Sequence, residues 1–331
     1  MTSFPRPALD LRNLRTEFRI GDHWYPAVRN VSVSLMPNET LAVVGESGSG
    51  KSVTALSILR LLPHAGARIQ GGEVLFEGQD LVTLSERDMS TIRGNSIAMI
   101  FQEPMTSLNP TMTVGDQIAE AILIHRGGSR MEAKAEALRL LAEVKIPSAK
   151  SRLDEYPHQF SGGMRQRVMI AMALACHPRV LLADEPTTAL DVTIQAQVLT
   201  QLEELKQAYG MSMLFITHNL GVVAQIADRV AVMYAGEIVE LATVDALFAK
   251  PMHPYTAALL RAMPRADRAN ESLEPIPGSV PGLSAVPTGC AYAPRCPFKD
   301  RSCTELHPEL VSSGDPGHLV RCPVRPVGGV H

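Results

Sequence analysis

The sequence predicts an α/β fold in which a mainly parallel sheet is covered by helices on both faces. One observation behind this is a short apolar run, Thr40–Val44, which leads through a glycine-rich turn into a helical apolar pattern at 51–62. Another is the alternation of apolar strands and helical segments between residues 180 and 233, which is typical of parallel sheets. A chain of 331 residues with 45% hydrophobic residues can form one large domain with an appendage.

The remaining elements are predicted from apolar periodicity and from turn residues. Strand compositions bounded by turns occur at 9–19, 27–35 and 72–76. The middle of the chain predicts a strand at 96–101 and helices at 113–125, 131–146 and 162–176. The alternating region predicts strands at 180–183, 212–217 and 230–233 and helices at 192–209 and 220–227. Prolines become frequent after residue 250, which predicts a main domain at 1–250 and an extension at 251–331.

Charge and hydrophobicity exclude several classes of protein. The net charge of -3 offers no excess of basic residues for nucleic acid, so we expect no such partner. The longest purely apolar stretch, 168–176, is far shorter than the roughly 20 residues that span a bilayer. The N-terminus lacks the pattern of a signal peptide. We expect a chain that does not cross the membrane and that would work at its cytoplasmic face only when held there by another protein.

The strongest motif is a glycine-rich loop between the strand Thr40–Val44 and the helix that follows it. Its spacing is glycine, four residues, then glycine-lysine-serine. Glycines let backbone amides curl around phosphate oxygens, and the helix N-terminus adds its positive dipole. Lys51 can reach the β- and γ-phosphates, and Ser52 can ligate Mg²⁺. The predicted nucleotide-binding residues of this segment are Gly45, Glu46, Ser47, Gly48, Ser49, Gly50, Lys51, Ser52 and Thr54.

An acidic pair ends the predicted strand at 180–183. Asp184 would hold Mg²⁺ through its water shell, and Glu185 would be the general base that polarises the attacking water. Acidic pairs after strands are common on protein surfaces, so this interpretation depends on the phosphate loop upstream.

A third motif, Phe160-Ser161-Gly162-Gly163-Met164, precedes a predicted helix. It resembles the signature of ATP-binding cassette (ABC) proteins, which usually reads Leu-Ser-Gly-Gly-Gln. Met164 lacks the amide of the usual glutamine, but the retained centre of Ser161, Gly162 and Gly163 can offer a hydroxyl, amides and a helix N-terminus to a phosphate. The resemblance covers about residues 8–250. It implies a P-loop NTPase with a RecA-like core, an antiparallel β subdomain and an α-helical signature subdomain at about 105–177.

The resemblance assigns roles to other residues as well. Gln102 corresponds to the glutamine that senses Mg²⁺, and the segment 103–110 behind it to the link with a membrane partner. Asp191, in Ala189-Leu190-Asp191, corresponds to the D-loop. His218 corresponds to the switch histidine that contacts the γ-phosphate. With Lys51 and Glu185, Gln102 and His218 complete the expected catalytic set.

An aromatic side chain upstream of the phosphate loop would stack on adenine in this family. Phe18 has the best placement, and Trp24 and Tyr25 are nearby alternatives. Because the family's signature serves the nucleotide of the other subunit, one loop and one signature imply a dimer with itself or with a paralogue. A non-transport cassette ATPase is an alternative, but such proteins usually carry tandem cassettes or a long coiled-coil insertion, and this chain has neither.

The extension narrows the expected cargo. Two segments of the extension resemble the extension of oligopeptide and dipeptide permease ATPases: Met252-His253-Pro254-Tyr255-Thr256 and the cysteine-containing segment 289–297. The residue sequence at 160–167 is similar to that of their D-type member. This implies uptake of short peptides, with an F-type paralogue, two transmembrane permease subunits and an external peptide-binding protein as partners. Related systems carry nickel, glutathione, opines or oligosaccharides.

Five cysteines occur, and four of them lie in the extension. Cys176 fits an ordinary core position in a helix. Cys290, Cys296, Cys303 and Cys322 suit a [4Fe–4S] cluster or zinc, since disulfides are rare in the cytoplasm. Relatives of the peptide-permease type carry an iron–sulfur cluster here, which favours the cluster; zinc and free thiols remain alternatives.

Overall fold

The computed structural model describes residues 6–188, 190–263 and 275–324 of the chain. Ala189, which belongs to the expected D-loop, lies outside the described residues. No helix in the described part of the chain is long and apolar enough to span a bilayer.

The strands and helices alternate along the chain as expected for an α/β protein. The strands of the described residues are β1 (Leu9–Ile20), β2 (His23–Leu35), β3 (Thr40–Val44), β4 (Ala67–Phe76), β5 (Gln79–Asp80), β6 (Ile97–Ile100), β7 (Val180–Asp184), β8 (Ser212–Thr217), β9 (Arg229–Tyr234), β10 (Glu237–Thr243), β11 (Val311–Ser312) and β12 (Leu319–Val320). The α-helices are α1 (Lys51–Ile58), α2 (Glu86–Ile92), α3 (Pro104–Ser107), α4 (Val114–Arg126), α5 (Arg130–Glu143), α6 (Ala149–Arg152), α7 (Gly162–Leu174), α8 (Val192–Tyr209), α9 (Leu220–Ile226), α10 (Val244–Ala249), α11 (Pro254–Arg261) and α12 (Ser302–Glu305).

The chain forms two compact units. The first consists of Thr83–Phe215, Leu35–Glu39 and the residues up to Leu9. The second consists of Asp10–Ser34, Thr40–Val82 and the residues from Ile216 onward.

The first unit combines parallel strands with a helical layer. β7 lies between β8 and β6, and β6 runs parallel to β7 with Ile97 opposite Val180. α4 and α5 pack against each other, and both contact α7. Side-chain caps define where these helices begin: the Thr113 hydroxyl accepts from the Asp116 amide, and Ser129 forms a capping box with Glu132. This helical layer presents the N-terminus of α7, where the signature motif lies.

The second unit contains two sheets. One has the strand order β2-β1-β4-β5, with β4 and β5 antiparallel. In the other, β3 is parallel to β9, while β9, β10, β12 and β11 continue as antiparallel neighbours. The extension therefore contributes strands β11 and β12 to the edge of a sheet. The boundary near residue 250 stays a prediction.

A buried aromatic cluster joins the extension to the core of the second unit. Tyr234, Tyr255 and Tyr292 are at most 2% exposed, and their rings lie 4.7–5.3 Å apart between centroids. They pack with buried aliphatic residues such as Val44 and Leu247. Burial of these aromatic rings, which gains roughly 25 cal/mol per Å² of apolar surface, stabilises the packing of the extension against the sheet.

Candidate functional site

The phosphate loop follows β3, and its two ends are positions where only glycine fits. Gly45 has a φ of 154°, and a Cβ there would overlap the carbonyl oxygen of Met233. Gly50 has a φ of 103°, and a Cβ there would lie 2.7 Å from the carbonyl oxygen of Ala27. Neighbouring strands β9 and β2 therefore set the course of the loop, and Gly50 leads directly into α1.

Lys51 is the first residue of α1 and points back into the loop. Its side chain is buried, and Nζ donates to the carbonyl oxygens of Gly45 at 2.8 Å and Glu46 at 3.0 Å. Ser52 is half-buried, and the buried Thr54 hydroxyl donates to the Gly50 carbonyl at 2.9 Å. The loop thus surrounds an ammonium group with backbone atoms, beside the amides at the start of a helix.

A cavity of about 380 Å³ opens beside the loop. Phe18 lines it, together with loop residues Ser47, Gly48 and Gly50 and the side chain of Val53. The extension also lines it through residues 280–283. Its walls are mainly apolar, as a nucleobase requires.

Trp24 and Tyr25, the alternatives to Phe18, do not line this cavity. The guanidinium carbon of Arg68 lies 4.2 Å from the centroid of the Trp24 ring, so that face of the indole is covered by a cation. The arrangement favours Phe18 as the aromatic residue beside the loop.

The acidic pair lies in the first unit, at the carboxyl end of β7. Asp184 and Glu185 are 4% and 9% exposed. Glu185 has a φ of 47°, a conformation that residues other than glycine adopt at a cost and that often occurs at functional sites. Its Oε2 accepts from the Thr188 hydroxyl at 2.9 Å and from Gln102 Nε2 at 3.4 Å. The predicted base and the predicted glutamine therefore meet, although 83 positions separate them.

The signature begins α7. Ser161 is the N-cap, with its hydroxyl accepting from the Met164 amide at 3.4 Å. Ser161 and Gly162 are exposed, and a Cβ on Gly163 would lie 2.9 Å from Ile194 Cγ2. Phe160 is buried, as suits an apolar residue in place of leucine.

Asp191 and the signature are neighbours. The Asp191 carboxylate caps α8 by accepting from the Ile194 amide at 2.9 Å, and Ile194 is the residue packed on Gly163. Val192, next to Asp191, is 83% exposed. His218 follows β8 and is exposed in the second unit. The exposed residues of the expected signature, D-loop and switch histidine therefore lie at the start of α7, at the start of α8 and after the end of β8.

The four cysteines of the extension form no disulfide bonds in the described part of the chain. Among the described residues, no group of three or more His, Cys, Asp or Glu side chains is placed to hold a metal ion. Burial, together with the nearby Cys303 and Cys322, raises the pKa of the Cys290 thiol to about 11. Burial also raises the pKa of Cys296, and the Cys290 amide donates to the Cys303 carbonyl at 2.8 Å.

Two residues beside the phosphate loop have no place in the predicted site. Arg295 binds the carboxylate of Glu46, and the Tyr255 hydroxyl accepts from the Glu46 amide. Both lie in segments whose resemblance to a permease extension was noted, but residue spacing gives no signal for a contact with the loop.

Two family models match the chain. One, described as ABC transporter, matches residues 28–188, and the other, described as the C-terminal region of oligopeptide/dipeptide transporters, matches residues 239–303. A Brucella melitensis protein, provisionally named as a peptide import ATP-binding protein, is 54% identical over 93% of this chain and 94% of its own length. A Sinorhizobium fredii protein, provisionally named as a peptide ABC transporter ATP-binding protein, is 55% identical over 95% of this chain and 94% of its own length.

Solved structures give a consistent result for the fold. An ATP-binding cassette, solved as a dimer in a post-hydrolysis state with ADP and Pi, is 28% identical with a TM-score of 0.64, over 71% of this chain and 98% of that chain. A Clostridium perfringens subunit of an ABC transporter complex is 23% identical with a TM-score of 0.63, over 73% of this chain and 91% of that chain, and shares the fold.

Proposed function

The chain belongs to the ABC transporter family, and we propose that it hydrolyses ATP to power the import of short peptides. The peptide cargo is supported by the match of residues 239–303 to the extension of oligopeptide/dipeptide transporters and by relatives named for peptide import. The observation that carries the hydrolytic assignment is the contact between the Gln102 amide and the Glu185 carboxylate, directly after the buried Asp184.

The phosphate loop would bind the triphosphate through its amides and through Lys51. The ammonium group lies at the loop, where it donates to two loop carbonyls, so it is placed to bind β- and γ-phosphate oxygens. The N-terminus of α1 contributes a partial positive charge at the same place. The exposed His218 would reach the γ-phosphate from the end of β8. Phe18 would stack on the base.

Ser52, Asp184 and Gln102 would hold Mg²⁺. A hydroxyl, a carboxylate and an amide oxygen form the hard-oxygen donor set that this ion prefers. Bound there, Mg²⁺ neutralises charge on the β- and γ-phosphates. The burial of Asp184 fits a carboxylate that faces a cation rather than bulk water.

Glu185 would act as the general base. Thr188 and Gln102 both donate to its Oε2, which fixes the carboxylate in one orientation. Either carboxylate oxygen can take the proton from a water molecule that attacks the γ-phosphate.

The Glu185→Gln variant tests this assignment. We expect ATP binding within about threefold of wild type and hydrolysis reduced by at least about 100-fold, because glutamine keeps the shape but accepts no proton at neutral pH. Nucleotide titration and phosphate release are the measurements. Glu204→Gln, which removes a carboxylate from an exposed ion pair with Lys145, is the matched control and should hydrolyse normally. Hydrolysis by Glu185→Gln at the wild-type rate would refute the role of Glu185.

We also propose that the working form is a pair of cassettes. The exposure of Ser161, Gly162 and Val192 leaves the signature and D-loop available to a second cassette, as in a family whose signature serves the partner's nucleotide. The expected partners are an F-type paralogue, two transmembrane permease subunits and an external peptide-binding protein, with this chain peripheral at the cytoplasmic face of the inner membrane. Co-purification of all subunits with the tagged chain, and labelled-dipeptide uptake that depends on it, test this arrangement.

The cysteines of the extension are the donors for a proposed [4Fe–4S] cluster, with zinc as the alternative. Thiolates are the ligands that both require, although the described residues include no group of three or more side chains placed to hold a metal ion. Burial disfavours their thiolate forms, which a bound cation would reverse. Iron analysis and visible charge-transfer absorbance of protein purified without oxygen test the cluster. Stoichiometric zinc in a colourless protein would overturn it.

A further inference from the structure

The extension holds the phosphate loop through Glu46, the residue directly after Gly45. Arg295 donates to both carboxylate oxygens of Glu46, from Nη1 at 2.8 Å and Nη2 at 3.1 Å. This is the two-bond geometry in which arginine recognises a carboxylate most firmly. The Arg295 side chain is 6% exposed and the Glu46 side chain 26%, so water screens this pair less than it screens a fully exposed one.

The backbone of Glu46 is held as well. Its amide donates at 2.9 Å to the hydroxyl of Tyr255, which is fully buried in α11. Two segments of the extension, one around Tyr255 and one around Arg295, therefore bind one residue of the loop.

The same arginine also holds a neighbouring segment of the extension. Its Nε donates to the carbonyl of Pro277 at 2.7 Å, and Nη2 approaches the carbonyls of Ile276 and Gly278 at 3.4 Å. Its guanidinium carbon lies 5.8 Å from the ring centroid of Tyr234 and 5.9 Å from that of Tyr292. Arg295 thus ties the loop and residues 276–278 to the aromatic cluster.

The segment fixed in this way leads directly to the cavity beside the loop. Residues 280–283 line the cavity together with Phe18 and Val53. Val280 and Leu283 are half-buried, so they offer apolar surface that a planar ring could cover. A nucleobase attached to phosphates in the loop would enter this cavity, because Gly48 and Gly50 belong to both.

We propose that the extension forms one wall of the nucleotide-base pocket and that Arg295 is a positioning residue for the nucleotide. The inference rests on the proposed ATP site and adds to it a dependence on the extension. The base lies between Phe18 and residues 280–283. Arg295 sets both this wall and, through Glu46, the course of the phosphate loop. Nucleotide affinity therefore depends on a contact between positions 249 residues apart.

Equilibrium titrations of the full chain with MgADP and with magnesium pyrophosphate test the two effects separately, since pyrophosphate lacks the base. Leu283→Ala should weaken ADP binding about fivefold and leave pyrophosphate binding within about twofold of wild type. Arg295→Lys keeps the charge but loses the paired donors, and it should weaken binding of both ligands, ADP by about tenfold. Arg301→Lys alters an exposed arginine that pairs with Glu305 and should change neither.

The pairing of Arg295 with Glu46 has its own test. Glu46→Gln should weaken ADP binding about as much as Arg295→Lys, and the double variant should be no weaker than either single one, because both remove the same contact. ADP affinity within about twofold of wild type in both Leu283→Ala and Arg295→Lys would overturn the inference while leaving the ATP site intact. Equal weakening of ADP and pyrophosphate by Leu283→Ala would overturn the base wall. A wild-type chain that binds neither ligand would refute the proposed function as well.

Discussion

The His253→Asn variant tests how a buried histidine of the extension makes the free energy of unfolding depend on pH. The imidazole is 1% exposed, and its burial lowers the pKa of His253 from 6.5 to about 4, although Glu240 raises it and Arg321 lowers it. Its Nδ1 accepts from the Tyr255 amide at the start of α11. Asparagine is among the best residues at this cap position, so it can keep the hydrogen bond and remove the titration.

The sign and size of the effect follow from the two pKa values. The folded chain keeps His253 neutral, while the unfolded chain takes up a proton as the pH falls below 6.5. Stability is therefore fully present above that pH and is lost as the pH falls towards 4. A pKa of about 4 in the folded chain against 6.5 in the unfolded chain corresponds to a limit of about 3 kcal/mol, of which about 2 kcal/mol would be lost between about pH 7.5 and 5.

Urea unfolding at these two pH values, followed by the fluorescence of Trp24, measures the difference. Trp24 is the single tryptophan and lies in the same unit as His253. His253→Asn should lose about 2 kcal/mol less than wild type on acidification, whatever its stability at neutral pH. His64→Asn removes an exposed imidazole and is the control, with a much smaller expected change. Equal acid losses in wild type and His253→Asn would refute the reasoning.

The nucleotide pocket gives two further predictions. Phe18→Ala should weaken ATP binding by about 10-fold or more through loss of stacking, while Trp24→Ala should leave ATP binding nearly unchanged because Arg68 already covers that ring. Equal effects of the two variants in nucleotide titrations would refute the choice of Phe18. Gly50→Ala should abolish measurable ATP binding without unfolding the chain, because the added Cβ would lie 2.7 Å from the Ala27 carbonyl oxygen at a φ of 103°. Wild-type affinity of this variant would show that the loop can follow another course and still bind ATP.

Sequence patterns predicted the central elements well where apolar periodicity and turn chemistry agreed. The strand Thr40–Val44, the helix Val192–Tyr209 and the strand Ser212–Thr217 have the predicted bounds. The helix predicted at 51–62 ends earlier, at Ile58, because Arg60 adopts a left-handed conformation with a φ of 53° before Pro63 is reached. The α/β prediction was confirmed.

The strand β10 was missed because charged residues interrupt its apolar pattern. Glu237 and Glu240 are 4% and 0% exposed, yet buried carboxylates are rare without partners. The partners lie far along the chain: His307 Nε2 lies 2.6 Å from a Glu237 oxygen, and His318 Nε2 lies 2.7 Å from a Glu240 oxygen. Residue spacing cannot reveal such pairs.

The candidate site also contains residues that local sequence predicts and residues that only a distant contact identifies. A phosphate loop can be read from sequence because its requirements are local: glycine where a side chain would collide, and lysine at the start of a helix. The four residues between its first and second motif glycines are free in that pattern, and Glu46 is one of them. The motif assigns no role to the Glu46 carboxylate, and only its contact with Arg295 in the fold indicates one. The positions that a motif leaves free are therefore where a cassette can connect its nucleotide site to an extension of its own, and Glu46 is the residue at which this chain does so.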